Sequence, residues 1–265
     1  MTRALLASSF VSGLVLAAAL PGCQQPALYC STAHGDFAAT YKLTKGDKAS
    51  ACAQLKGDVV GLQTYFGTGG LNGTPKYGDA TMAIRPQKLG DMVARVIDEG
   101  LLEQDDVALK ANAIADFTTE HPDDDDFCEA TKFNRVALDL PAAPEHPSVP
   151  IDPPVEDDPK TPDVDESMTK YIPPQPATSI AYEWSNARVL VSANYQGTQF
   201  SADLKFTQDG CTAEYHVVGL SPVASCAVDK DCADHEVTTI NPDFDLKCDK
   251  DLGMCVLVGE PPALN

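Results

Sequence analysis

Alternation of apolar and polar positions runs through much of this chain and predicts strands. Phe37, Ala39, Tyr41 and Leu43 fall on one face of a first strand, and Val60, Leu62, Thr64 and Phe66 on one face of a second. Lys45-Gly46-Asp47-Lys48 is the turn between them. Gly67 to Gly78 holds five glycines with Asn and Pro, which predicts a loop, and Met82 and Ile84 belong to a short strand ending near Pro86. The period then changes. Leu89, Met92, Val93, Val96 and Ile97 recur at helical spacing, and Gly100 stops the pattern after about three turns. Residues 108–119 and 129–140 read as two further strands. The clearest block follows: Ile180, Tyr182 and Trp184 alternate, then Val189, Val191 and Ala193, then Phe200, Ala202, Leu204 and Phe206. Asp209-Gly210 is a two-residue hairpin signal, and Cys211, Ala213, Tyr215 and Val217 form the return strand.

These elements predict a mainly β fold: an antiparallel β-sandwich or barrel with one short helix, plus a small disulfide-rich C-terminal module. A proline-rich, acidic stretch interrupts it. Residues 141–176 contain eleven prolines and eight carboxylates. Proline removes ladder donors and like charges extend the chain, so 141–177 reads as a disordered or polyproline-like loop on one domain. The expected division is a signal peptide over 1–22, a lipidated tether over 23–35, a β-rich domain over 36–225 and a Cys-rich module with its tail over 226–265.

The N-terminus carries its own signal. Arg3 precedes seventeen residues, Ala4 to Leu20, without charge or proline, the pattern of a signal-peptide core. Leu20-Pro21-Gly22-Cys23 follows and resembles the lipobox of bacterial lipoproteins, Pro21 departing from the usual small residue. The resemblance implies cleavage before Cys23 and a diacylglycerol thioether on its sulfur. A membrane-spanning anchor, or ordinary secretion with cleavage near Ala17-Ala18-Ala19, are the other readings of the same run. With acyl chains on Cys23, the membrane is the first partner, through the covalent lipid rather than a span. Gln24, in place of an Asp, points to the outer membrane.

Cysteine parity agrees with lipidation. Of nine cysteines, Cys23 takes the lipid, leaving Cys30, Cys52, Cys128, Cys211, Cys226, Cys232, Cys248 and Cys255 for four disulfides in an oxidising compartment. Three of the eight precede the proline-rich segment and five follow it, so full pairing demands a bridge across it. Cys128–Cys211 is the expected crossing bridge and Cys30–Cys52 a local one. The last four are expected to pair first-to-third and second-to-fourth. Their gaps do not suit the short spacings of zinc sites. The run Cys226-Ala-Val-Asp-Lys-Asp-Cys232 with Cys248-Asp-Lys-Asp-Leu-Gly-Met-Cys255 is similar to small disulfide modules of exported myxobacterial proteins. Together with the lipobox and residues 196–211, it makes the chain resemble uncharacterised myxobacterial outer-membrane lipoproteins, a resemblance that implies no activity.

Nineteen Lys and Arg against 39 Asp and Glu give a net charge of −20, which disfavours nucleic acid as a partner. His-Glu-x-x-His and Gly-x-Ser-x-Gly motifs are absent from the sequence. His216, out of phase with Tyr215 and Val217, is expected to face solvent. Trp184 with Tyr182 reads as core, with a sugar-stacking face as the alternative. The reading is therefore a non-enzymatic cell-envelope lipoprotein without a cofactor, a surface binding or structural module for an unidentified protein or glycan ligand. One alternative is a calcium-dependent adhesion or ligand-binding module using Asp123, Asp124, Asp125 and Asp126, because calcium prefers clustered oxygens. The other is a carboxylate-based hydrolase, although no pair of acids is singled out.

Overall fold

The computed structural model describes residues 27–107, 109–147 and 171–264. The expected signal peptide, Cys23 and the middle of the proline-rich segment lie outside them. A nine-stranded antiparallel sheet dominates the fold. Its long strands are β1 (Gly35–Lys45), β2 (Gly57–Gly67) and β3 (Lys76–Pro86), each eleven residues. Three short strands follow: β4 (Ala113–Asp116), β5 (Phe127–Ala130) and β6 (Val136–Leu140). After a two-residue pair, β7 (His146–Pro147) and β8 (Tyr171–Ile172), come β9 (Thr178–Val191), β10 (Gln196–Gln208) and β11 (Cys211–Leu220).

The hydrogen-bonded order is β4-β3-β2-β1-β11-β10-β9-β5, with β6 also on β9. The two ends of this path meet. Thr118 N–H donates to Glu129 O at 2.8 Å, and Asn134 N–H to Ile114 O at 3.1 Å, so the sheet curls into a near-closed barrel. Closure follows from a break in one wall. The expected strand over 129–140 is two strands, because β9 changes direction: its upper half pairs with β5 and its lower half with β6. Between the halves Asn186 takes φ 51°, and the β9–β10 register shifts beside it. That bulge bends the wall and raises its twist. Only Ala113–Asp116 of the expected 108–119 strand is extended.

Side chains predicted to share faces do so, and they point inward. Phe37, Val60, Leu62, Met82, Ile84, Tyr182, Trp184, Phe200, Leu204, Phe206 and Tyr215 belong to one buried cluster. Lys42, Glu129, Glu183, Asp203 and Lys205 lie outside it. This is the reverse of the polar-inside, apolar-outside pattern of a membrane-spanning barrel. Among the described residues, no helix is long and apolar enough to cross a membrane. Trp184 is 3% exposed, so it offers no surface for stacking a sugar. At Asp209-Gly210 both φ angles are positive, 50° and 80°, and Gln208 pairs with Cys211, giving the two-residue hairpin that the dipeptide dictates.

Helix α1 (Gln87–Asp98) buries Leu89, Val93 and Val96 across one end of the barrel, packing on β2, β3 and β6. Gly100 at φ 66° ends it, with Leu101 N–H donating to Val96 O and Gly100 N–H to Ile97 O. Four-residue helices α2 (Gln104–Val107), α3 (Asp229–Cys232) and α4 (His235–Thr238) and two single 3-10 turns, Ala51–Ala53 and Leu71–Gly73, complete the helical content among the described residues.

The C-terminal region has its own small core, with Leu220, Ile240, Phe244, Leu257 and Ala263 around two disulfides. Its hairpin, β12 (Leu246–Asp249) and β13 (Met254–Leu257), rests on β1 and β11. Buried Gln199 of β10 fastens the tail: its Oε1 accepts from Ala263 N–H at 3.0 Å.

Cys226 pairs with Cys248 and Cys232 with Cys255, the crossed arrangement. The other two bridges correct the expected pairing: Cys30 joins Cys128 and Cys52 joins Cys211. Geometry decides this. Residues 27–34 are not a free tether but lie against the barrel end beside β5. Ala33 N–H donates to Gly197 O and Thr32 N–H to Thr64 Oγ1, which brings Cys30 to Cys128. The β1–β2 connection folds over the start of β11, where Tyr215 Oη donates to Cys52 O, and there Cys52 meets Cys211. A bridge across the proline-rich segment thus exists, but from Cys52.

Candidate binding groove beside the helix

Helix α1 begins under a constraint its own sequence does not satisfy. Pro86 at its N-cap has no side chain to accept from the first-turn N–H groups. Asp58, at the second position of β2, supplies the acceptor from across the fold: Lys88 N–H donates to Asp58 Oδ2 at 3.2 Å. The carboxylate sits at the positive end of the helix, which favours its ionised form by up to about 1 kcal/mol. Burial works the other way and wins. It pushes the Asp58 carboxyl up to about 6, helped by the charge of Asp91 and opposed by the N–H groups of Lys88 and Val59. Tyr41 and Tyr182 are held above the usual phenol range, first by burial and then by the charge of Asp58.

Asp58 lies in the wall of a groove of about 760 Å3 between α1 and residues 172–175. The far wall is the root of the proline-rich segment. Here the expectation of disorder is corrected: Ala143 and Gln175 exchange backbone hydrogen bonds at 2.9 Å, and β7 pairs with β8. Gln175 Nε2 donates to Met92 O, and Arg95 donates to Pro144 O, fixing this strap against the helix. Asp91, Asp98 and Glu99 line the groove with Lys88 and Arg95, and Arg95 lies 3.8 Å from Glu99. The result is an open, ordered trough of acidic balance beside an apolar floor of Met92, Ile172 and Pro173. It can hold an elongated ligand carrying positive charge. Within it Asp58 serves as the helix cap, and Asp91 is exposed on α1.

The other sites singled out in the sequence fall elsewhere. Asp123, Asp124, Asp125 and Asp126 form an exposed turn at the opposite end of the barrel. Asp123 Oδ1 accepts from the N–H groups of Asp125 and Phe127, so this carboxylate closes the turn. Among the described residues, ligand-type atoms converge at Cys226, Cys232 and Cys255, whose sulfurs lie within 4.8 Å of one another, and all three are in disulfides. His216 does point out of the barrel but is not free in solvent. Its Nδ1 lies 3.1 Å from Asp203 Oδ1 and its Nε2 2.9 Å from Glu260 Oε2. Burial lowers its pKa, and these two carboxylates more than reverse that, so the net shift is upward. This clamp and the Asp58 cap escaped sequence reading, since each joins residues far apart in the chain with no motif.

Fold and groove together define a disulfide-stapled, near-closed β-barrel with an open acidic groove beside its one long helix. The MlpA family model matches residues 35–222, the barrel itself, and the chain belongs to that family. A Myxococcus xanthus protein named "Putative lipoprotein MlpA" is 25% identical over 236 residues, covering 84% of this chain and 79% of its own length. No solved structure matches.

Proposed function

We propose that the protein is an envelope lipoprotein, anchored in the outer membrane by acyl chains on Cys23, whose barrel presents the α1 groove as a binding face. The observation that carries this reading is the polarity of the molecule. Residues 27–34 enter at one end of the barrel, pinned by Cys30–Cys128, while α1 and its groove cover the other. A ligand site and an anchor at opposite ends suit a domain held at a membrane and facing away from it. The lipobox over Leu20–Cys23 and the name of the Myxococcus relative support the anchor, and Gln24 supports the outer membrane. The acidic balance of the groove favours a basic segment of a protein partner.

The test has two parts. Intact mass of the mature protein is expected to show an acylated Cys23 at the N-terminus, and Cys23→Ala to release the protein from the membrane fraction. A photo-crosslinking side chain at Ala94, exposed in the groove, is expected to capture a partner in cells that the same group at Lys205 does not. An unacylated N-terminus refutes the anchor; equal capture at both positions refutes the groove.

A further inference from the structure

The barrel end at which the described chain enters, at Ala27, has an uncharged tip carrying an exposed leucine, and we propose that this end rests on the lipid bilayer: the β2–β3 loop with Leu71 and the Tyr29–Tyr77 stack contact a phosphatidylethanolamine-rich leaflet. This rests on lipidation of Cys23, proposed above. The connection from the lipid to the barrel is short. Only Gln24, Gln25 and Pro26 separate Cys23 from Ala27, so four residue steps of at most about 14 Å in all join the lipid to the folded barrel. From Ala27 the chain is fixed. Leu28 O bonds His121 Nδ1 at 2.7 Å, Cys30 is bridged to Cys128, and Thr32 and Ala33 are hydrogen-bonded to the barrel. The eleven-residue strands β1 to β3 are about 36 Å long. A tether this short keeps the near end, not the α1 end, at the headgroups.

The β2–β3 loop and the rings behind it suit an interface. Gly67 pairs with Lys76, so residues 68–75 form the hairpin tip. The tip, Thr-Gly-Gly-Leu-Asn-Gly-Thr-Pro, has no charge, and Leu71 on it is 88% exposed. Behind it Tyr29 and Tyr77 stack with centroids 3.9 Å apart, and Phe66 meets Tyr77 edge-on at 5.1 Å. These rings and Leu28 line an open trough of about 440 Å3. Tyrosine, apolar in body and polar at the tip, suits the boundary between acyl chains and headgroups. The exposed Asp123–Asp126 turn stands at the same end. Anionic lipid would repel it, so the net-neutral headgroups of phosphatidylethanolamine are the compatible surface. One leucine and three rings would bind free lipid weakly. The anchor makes the contact intramolecular and raises its effective concentration to the millimolar range or above.

The experiment uses the mature, bacterially processed protein in vesicles of phosphatidylethanolamine and phosphatidylcholine with brominated acyl chains. Leu71→Trp adds a fluorophore at the tip, and Leu109→Trp, in a separate sample, adds one at the α1 end, where Leu109 is 77% exposed. Buried Trp184 supplies a constant background that also reports folding. Flotation and intact mass are measured on each sample. The expected result is that the indole added at the tip loses about half its emission, as for a ring entering the headgroup–acyl boundary, while the one added at the α1 end is unchanged. An acylated, floating protein whose tip indole is unquenched, or is quenched no more than the indole of the Leu109→Trp variant, overturns the docking and leaves the anchor standing. Concentration-dependent dimerisation that shields the tip indole from bromine overturns it in favour of a second copy. An unacylated N-terminus overturns both.

Discussion

Replacing Asp58 with Asn probes the balance between capping and burial on which α1 depends. A carboxyl whose pKa is raised in the folded chain binds its proton more tightly when folded than when unfolded. Its contribution to stability is therefore complete below about pH 4, near the unfolded value, and is lost as pH rises through the folded value of about 6. The rise from 3.8 to about 6 spans some two units, and each is worth about 1.36 kcal/mol, so the ionised carboxylate removes about 3 kcal/mol by pH 8. Asparagine retains an oxygen to accept from Lys88 N–H but has no charge to desolvate. Asp58→Asn is expected to lie within about 1 kcal/mol of wild type at pH 4 and to become more stable than wild type by about 2–3 kcal/mol at pH 8. Urea unfolding of both proteins at half-unit steps from pH 4 to 8, with disulfides intact, measures the difference. Taking that difference cancels groups that titrate alike in both chains, His216 among them. Parallel curves across the window would refute the reasoning, as would a variant that loses stability as pH rises. Either would mean that the cap and the helix field, rather than burial, govern this carboxyl.

Four further outcomes are expected. Gly197 has φ 72°, and a Cβ there would lie 2.6–2.7 Å from the backbone of Ser31, Thr32 and Ala33; Gly197→Ala should cost about 2–4 kcal/mol and expose residues 27–34 to limited proteolysis. Removing Cys52–Cys211 as a double alanine variant should cost more than removing Cys226–Cys248. The closed loops span 159 and 22 residues, so chain entropy gives about 4–5 against about 3 kcal/mol, with Cys30–Cys128 shortening the larger loop; denaturant midpoints rank the two. His216 has a raised pKa, so its stabilisation is complete below about pH 6.5 and fades as pH rises through the folded value. Relative to His216→Gln, wild-type protein should lose its advantage over that window, read as protease release of the C-terminal tail. Gln199→Ala leaves Ala263 N–H buried without its acceptor and should cost about 1–3 kcal/mol, with hydrogen exchange fastest at residues 260–264.

Local rules carried a large part of the fold. Alternation placed β1, β2, β9, β10 and β11, because a strand's period of two shows wherever one face is buried. Asp209-Gly210 specified its own turn, and Gly100 its helix end, since positive φ is a property of the residue itself. Parity of the cysteines required a bridge across the proline-rich segment without saying which. Tertiary structure decided the rest. Partners for Cys30 and Cys52 depend on which loop folds over which barrel end, a matter of separations of 98 and 159 residues. Asp58 as the cap of α1, and His216 between Asp203 and Glu260, depend on closure of the barrel and docking of the tail. The division is physical: a residue's backbone preference and the side it turns to the core are encoded within a few positions, whereas a contact between distant residues exists only after the chain has chosen its topology.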